Sequence, residues 1–275
     1  MAIQNSVNTN VAAFVALQNL NSVNGRLDTV QNRVSTGLKV NSAVDDASNF
    51  AIAQGTRATL KAYEAVSQGL SNARGVATVS LAGATSISDL LGDIQKKITE
   101  GQNAGNSTQQ QAILNSDFRN LINQINTFIT NATYNGRNIL SAASTSLNVI
   151  ANADGTTLTI RSNSAFSVQS ANLGAQNLST TIGAQRALSA LFDAASVINS
   201  VLGNLGADTR QLNYQDEFLN KLSDATQEGL GAIVDADMAR ESARLQALQV
   251  QQQLSVQTLG IANQRPQTLL GLFRG

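Results

Sequence analysis

The stretch 235–275 reads DADMARESARLQALQVQQQLSVQTLGIANQRPQTLLGLFRG, and its apolar residues do not form a single stripe. At helical spacing Leu245, Leu248, Val256 and Leu259 fall on one face, while Val250, Leu254 and Ile261 fall on roughly the opposite face. Leu269 and Phe273 carry the apolar pattern on, and Gln246, Gln249, Gln251, Gln253 and Gln257 fill the space between. A helix that is apolar on two opposed sides is not satisfied by lying on one core. It needs partners on both sides.

The start of the chain has the same two-sided habit. Ile3, Val7, Val11, Phe14 and Val15 make one stripe, and Val23, Leu27, Val30 and Val34 make a second, displaced about halfway around the wheel. A bend or looser turn is expected near Gly25, where the stripes change over among Asn19, Asn21 and Asn24. Two short helices joined there are the alternative.

Between these ends lie further helical patterns. Gly37 fits a helix end, and Ser42 with Asp45 three residues on reads as a capping-box-like start for the next helix. The pair Asp45 and Asp46 complements the positive end of that helix better than it makes a metal or acid/base site. The helix runs from there to about Ile98, and its interior glycines require tertiary packing to hold it. A polar break at 101–108 precedes a second helix over about 109–132, the two forming a helical hairpin. Tyr134-Asn135-Gly136-Arg137 is a turn signal. The period then changes to two, and Leu147, Val149, Leu158 and Ile160 around an Asp154-Gly155 turn predict a β-hairpin, with Phe166 and Val168 as candidates for a third strand. Helical pattern returns from about Thr181 to Glu228, and Asp235 with Asp237 caps the last helix. The expected class is mainly α: an elongated helical rod, with the two chain ends paired as a coiled-coil-like module.

Composition narrows the function. Charged residues are 13% of the chain, about half the usual share, and Lys+Arg equals Asp+Glu at 18 each, so nothing in the charge favours nucleic acid. Cysteine, histidine and tryptophan are absent, which removes disulfides, Ser-His-Asp and Cys-His nucleophiles, and the common zinc sites. No catalytic, cofactor or metal residues are expected. The start of the chain lacks a basic segment followed by an apolar one, so no cleavable signal is visible. No apolar run approaches the roughly 18 residues a bilayer span needs, so no membrane insertion is expected. The single proline, Pro266, lies close to the end.

Several of these motifs resemble those of the bacterial flagellins. Residues 33–47, from Arg33 through Gly37, Asn41, Ser42, Asp45 and Asp46, are similar to the family pattern R-x-S-(S/T)-G-x-(R/K)-(I/V)-N-S-A-x-D-D-A. Asp235-Ala236-Asp237-Met238-Ala239 resembles the D-A-D-(Y/M)-A motif, and Ala262-Asn263-Gln264-Arg265-Pro266-Gln267 resembles A-N-Q-x-P-Q. Residues 134–140 resemble the family's F-N-G-x-x-(I/V/L)-L turn. The resemblance implies an inner filament-core domain from residues 1–40 and 231–275, and an outer helical domain over 41–230 carrying the hairpin near 147–170. Only a short polar segment separates hairpin and returning helix, which implies a two-domain flagellin without further inserted domains.

What the resemblance implies about function is a structural subunit that polymerises into the flagellar filament, is exported by the flagellar secretion system, and works extracellularly. The same machinery supplies an export chaperone, hook-associated junction proteins and a filament cap as partners, and a hook-associated junction protein is the alternative reading. The expected assembly interface comprises Val7, Val11, Phe14, Val23, Leu27, Val30, Val34, Leu245, Leu248, Val250, Leu254, Val256, Leu259, Ile261, Leu269 and Phe273. The terminal helices are expected to be disordered in the free subunit and to fold as it enters the filament. The family's innate-receptor run L-Q-R-x-R-E-L-A has its counterpart at 91–98, where Asp93 and Gln95 replace both arginines, so weak receptor signalling is expected.

Overall fold

Among the described residues the chain forms six helices and one strand pair: α1 (Val11–Thr36), α2 (Ala47–Gly101), α3 (Thr108–Asn131), β1 (Leu147–Ile150), β2 (Thr157–Ile160), α4 (Ala165–Gly174), α5 (Thr181–Val234) and α6 (Met238–Leu272). This computed structural model describes residues 9–272, with side chains described for residues 9–264. The chain divides into two units, one of Met1–Ala58 with Ala225–Gly275 and one of Thr59–Asp224. Both boundaries fall inside continuous helices, α2 and α5.

The unit over 59–224 is built on helical seams with alternating spacings of three and four. Along α2 the inward residues are Val66, Leu70, Ala73, Ala77, Ala84, Ile87, Leu91, Ile94 and Ile98, all at or below 7% exposure. Along α5 they are Ala184, Ala187, Leu191, Ala194, Ile198, Val201, Leu205 and Leu212. A repeat of 3.5 residues is the coiled-coil period, which keeps a narrow apolar edge facing its partner over a long helix. Phe118, Ile122, Ile125 and Ile129 of α3 join the same core. One window of α5, with mean hydropathy 1.3, is long and apolar enough to cross a membrane by length and composition, although no unbroken apolar run of that length occurs in it. Its inward residues nevertheless keep the spacing of a core seam.

Local chemistry fixes the ends of these elements. Ser107 caps α3 in a full capping box with Gln110. At the other end Asn138 Nδ2 donates to the Ile129 carbonyl at 2.6 Å, while its Oδ1 accepts from Leu140 N at 2.8 Å. Tyr134 and Arg137 exchange backbone hydrogen bonds across Asn135 (φ 48) and Gly136 (φ 73), the left-handed pair a tight two-residue hairpin turn requires. Gly75 of α2 seats the Tyr134 ring, whose atoms lie 2.6 Å from where a Cβ would be.

β1 and β2 pair antiparallel, with Leu147 opposite Ile160 and Val149 opposite Leu158, as the alternation predicts. Phe166 and Val168 do not form a third strand; they lie in α4. There Phe166, Ser170 and Leu173 are buried at helical spacing and Val168 is exposed, a pattern too short in sequence to separate from alternation. Asp208, in the α5 seam, accepts from Arg161 N at 3.1 Å and from Arg161 Nη2 at 2.9 Å, which anchors the end of β2.

Candidate assembly interface

α1 is one continuous helix through Gly25, not two short helices joined there. Asn10 caps its start through Ala13 N at 3.1 Å, and Gly37 ends it with φ 72 and its N–H on the Arg33 carbonyl at 2.9 Å. The left-handed φ explains the glycine in the motif.

The two terminal motifs meet directly after that glycine. Lys39 N donates to the Val234 carbonyl at 2.7 Å, Ala236 N donates to the Gly37 carbonyl at 2.8 Å, and Leu38 pairs with Asp235 in an isolated antiparallel bridge. Beneath them Val40, Ala53 and Val234 are buried, with Leu38, Phe50, Leu230 and Ile233 packed around. The motifs thus close the pairing of the chain ends by backbone hydrogen bonds, which depend on conformation more than on side chains.

The acidic residues divide the work differently from the expected capping box. Asp46, not Ser42, caps α2, accepting from Asn49 N at 3.0 Å and Asn49 Nδ2 at 2.7 Å. Asp45 closes the preceding turn, where its Oδ2 accepts from Ser42 Oγ and Ser42 N, both at 2.9 Å, and from Asn41 N at 3.2 Å. The hydrogen bonds from Ser42 hold the Asp45 carboxyl below its ordinary value, and those from Asn49 do the same for Asp46. Asp237 caps α6 through Arg240 N at 3.1 Å.

From this junction α1 and α6 run antiparallel along a seam. α1 turns Ala16, Val23 and Val30 inward with Leu20, Leu27 and Val34 half-buried between them. α6 answers with Glu241, Leu245, Leu248, Gln252, Ser255, Leu259 and Ala262, again at alternating fours and threes. Val23, Val30 and Leu248 form the buried core of the pair, with Leu27, Val34 and Leu245 against it. Polar rungs mark the register: Arg33 to Glu241 at 3.7 Å, Gln252 Nε2 to Asn24 Oδ1 at 2.8 Å, and Asn10 Nδ2 to the Ala262 carbonyl at 2.7 Å. Glu241, 6% exposed, also accepts from Arg244 Nη1 at 2.9 Å in the first turn of α6, where the helix dipole favours an anion.

The outer surfaces are apolar where the pair lies furthest from the junction. Val11, Phe14, Val15 and Leu17 of α1 are exposed, Phe14 at 62%, and so are Val250, Leu254, Val256 and Ile261 of α6, Ile261 at 66%. Val256 was expected on the inner face with Leu245. The seam repeats every 3.5 residues and drifts about 20° per heptad from a straight wheel, so Ser255 takes the inner position and Val256 turns out. Asn263 and Gln264 are exposed. Val7 and Phe273 lie outside the described residues, as do the side chains of Pro266, Gln267 and Leu269. Asp93 and Gln95 lie exposed on α2.

The residues that pattern reading missed are the polar ones in the seam: Asn10, Asn24, Glu241 and Gln252. Glu241 and Gln252 carried a signal, a polar residue at a position the apolar repeat reserves for the partner helix, whereas Asn10 and Asn24 lie outside that repeat and carried none.

The two chain ends thus form one antiparallel helix pair, buried along its seam and apolar on part of its outer surface. The description of the bacterial flagellin N-terminal helical region matches residues 7–145, and that of the C-terminal helical region matches residues 188–273. Flagellin FljK of Caulobacter vibrioides is 38% identical over 271 residues, covering 98% of this chain and 99% of that one. The flagellin of Brucella melitensis is 35% identical over 288 residues at the same coverage. A solved structure described as a flagellar hook-associated protein of Vibrio parahaemolyticus shares the fold, with TM-score 0.58 at 12% identity over 70% of this chain and all of that one. The chain belongs to the bacterial flagellin family. It is a structural subunit of the flagellar filament, the extracellular helical propeller of swimming bacteria.

Proposed function

We propose that the outer faces of α1 and α6 are the polymerisation surface, with Val11, Phe14, Val250, Leu254, Val256 and Ile261 covered by neighbouring copies of the same chain. The observation that carries this is the pairing of two exposed apolar stripes at one end of one helix pair. Fully burying a side chain of this size is worth about 1.5–3 kcal/mol, so these residues together contribute on the order of 10 kcal/mol against the cost of association. Val23, Leu27, Val30, Val34, Leu245, Leu248 and Leu259 then serve assembly indirectly, by holding α1 and α6 together.

On this reading residues 1–40 with 231–275 form the filament core and 41–230 the outer domain. The subunit leaves the cell through the flagellar export apparatus with a chaperone, and is placed between hook-associated junction proteins and a cap. It performs no catalysis. The Ala262–Gln267 motif favours the filament role over the junction role. Seeding purified protein and imaging it by electron microscopy tests this: long helical tubes are expected, and discrete short complexes contradict it.

Exposed Asp93 and Gln95 stand where the family's receptor-binding run carries arginines. A carboxylate in place of a guanidinium reverses charge and removes its planar hydrogen-bonding fork. A reporter assay with dissociated subunits is expected to show weak signalling, and full potency contradicts it.

A further inference from the structure

In an α-helix each carbonyl accepts from the N–H four residues on. Residue 266 is proline and has no N–H, so within α6 the carbonyl of Ala262 lacks its usual donor. Ala262 is only 6% exposed, and a buried carbonyl left unfilled costs most of its desolvation. Asn10 Nδ2 donates to this carbonyl at 2.7 Å. The other end of the same amide, Oδ1, accepts from Ala13 N at 3.1 Å and caps α1. One side chain thus completes a helix end and fills a gap in the opposite helix.

We infer that Asn10 holds the register of the α1–α6 pair at the end away from the junction, beyond the reach of the Leu38–Asp235 bridge and the Arg33–Glu241 pair, and that Pro266 creates the acceptor it reads. The apolar seam does not fix register strongly by itself, because its valines and leucines repeat and a shifted pairing still buries them. A polar side chain with one specific partner across such a seam is a means of choosing one register. The Asn24–Gln252 rung is weaker for this purpose: Gln249, Gln251 and Gln253 stand beside Gln252 and offer substitutes after a shift. The Ala262 carbonyl has no substitute, since Pro266 is the only proline in the chain. The residue types are also restrictive. Ser, Thr and Asp cap a helix but do not supply an amide donor to the carbonyl, whereas Asn does both. The consequence for polymerisation rests on the assembly reading above: register decides which of Val11 and Phe14 stand beside Leu254 and Ile261 on the outer face.

A double-mutant cycle tests this in the full chain. Asn10→Ser keeps a capping oxygen and removes the amide donor; Pro266→Ala restores the N–H to the Ala262 carbonyl. Because the chain has no cysteine, register is read by the ratio of two engineered disulfides, Asn24→Cys with Gln252→Cys against Asn24→Cys with Ser255→Cys. The parent is expected to favour the first pair. Each single substitution is expected to lower that ratio about tenfold, and the double no more than either alone, because both remove the same interaction. An unchanged ratio for Asn10→Ser, or equal effects of Asn10→Ser with and without Pro266, overturns the inference. Filament growth is scored separately: a parent that cross-links in register but fails to polymerise sinks the assembly reading and leaves the register device standing.

Discussion

The unit over 59–224 and the α1–α6 pair use the same seam spacing and reach different ends. In the first, large side chains such as Phe118, Phe166, Leu70 and Ile94 are fully enclosed, at 0–1% exposure, by helices on several sides. In the second, two helices alone enclose Val23, Val30 and Leu248 and leave an outer set of valines, leucines, Phe14 and Ile261 facing solvent. Two helices have one mutual face, so a sequence apolar on both faces leaves half its apolar surface unburied within the chain. The first region is a core finished by folding. The second is a core half supplied by the chain, and assembly is its completion.

That contrast breaks most visibly if outer residues are made charged. Phe14→Asp with Leu254→Asp is expected to raise the critical concentration for seeded growth by about a thousandfold or more, while leaving the main unfolding transition of the dissociated subunit in place. Next in size is Phe118→Ala, which opens a cavity in a closed core and is expected to cost about 3–5 kcal/mol in denaturant unfolding of the subunit. If the double charge substitution lowered subunit stability as much as Phe118→Ala, the two regions would not differ as described.

A smaller effect probes how tightly the turn after α3 is seated on α2. Gly75→Ala pushes a methyl group against the Tyr134 ring and is expected to cost about 1–3 kcal/mol, against little for Gly92→Ala, where an added Cβ meets nothing within 4 Å. The smallest effect is pH-dependent. Asp45 and Asp46 have carboxyls lowered from 3.8 by hydrogen bonds from Ser42 and Asn49, so their stabilisation is complete above that value and is lost as pH falls below it. Hydrogen-exchange protection at the start of α2, taken relative to the intrinsic rate at each pH, is expected to fall below about pH 4 in the parent and to fall less in Asp46→Asn.

Element types, both paired chain ends and the two-sided character of α6 were legible from apolar spacing, because burial there follows helical geometry directly. Three things were not. Val256 turns outward because the seam repeats every 3.5 residues, whereas the 3.6-residue period of a straight helix puts it on the face of Leu245. Phe166 and Val168 looked like a strand because ten residues of α4 are too few for period alone to decide. Asp46 took the cap expected of Ser42 because Asp45 was engaged in closing the turn between them, a competition visible only in three dimensions. Asn10 escaped for a further reason: its partner is a backbone carbonyl 252 residues away, emptied by a proline four residues beyond it.

If neighbouring copies bury the outer faces of α1 and α6, those faces lose their access to solvent on assembly. The absence of native cysteine makes thiol labelling of Phe14→Cys and Leu254→Cys, each as the only cysteine, the direct measurement. Maleimide is expected to react rapidly at both sites in dissociated subunits and about a hundredfold more slowly in assembled filaments. Equal rates in the two states would show that these faces stay open in the filament, and would contradict the account.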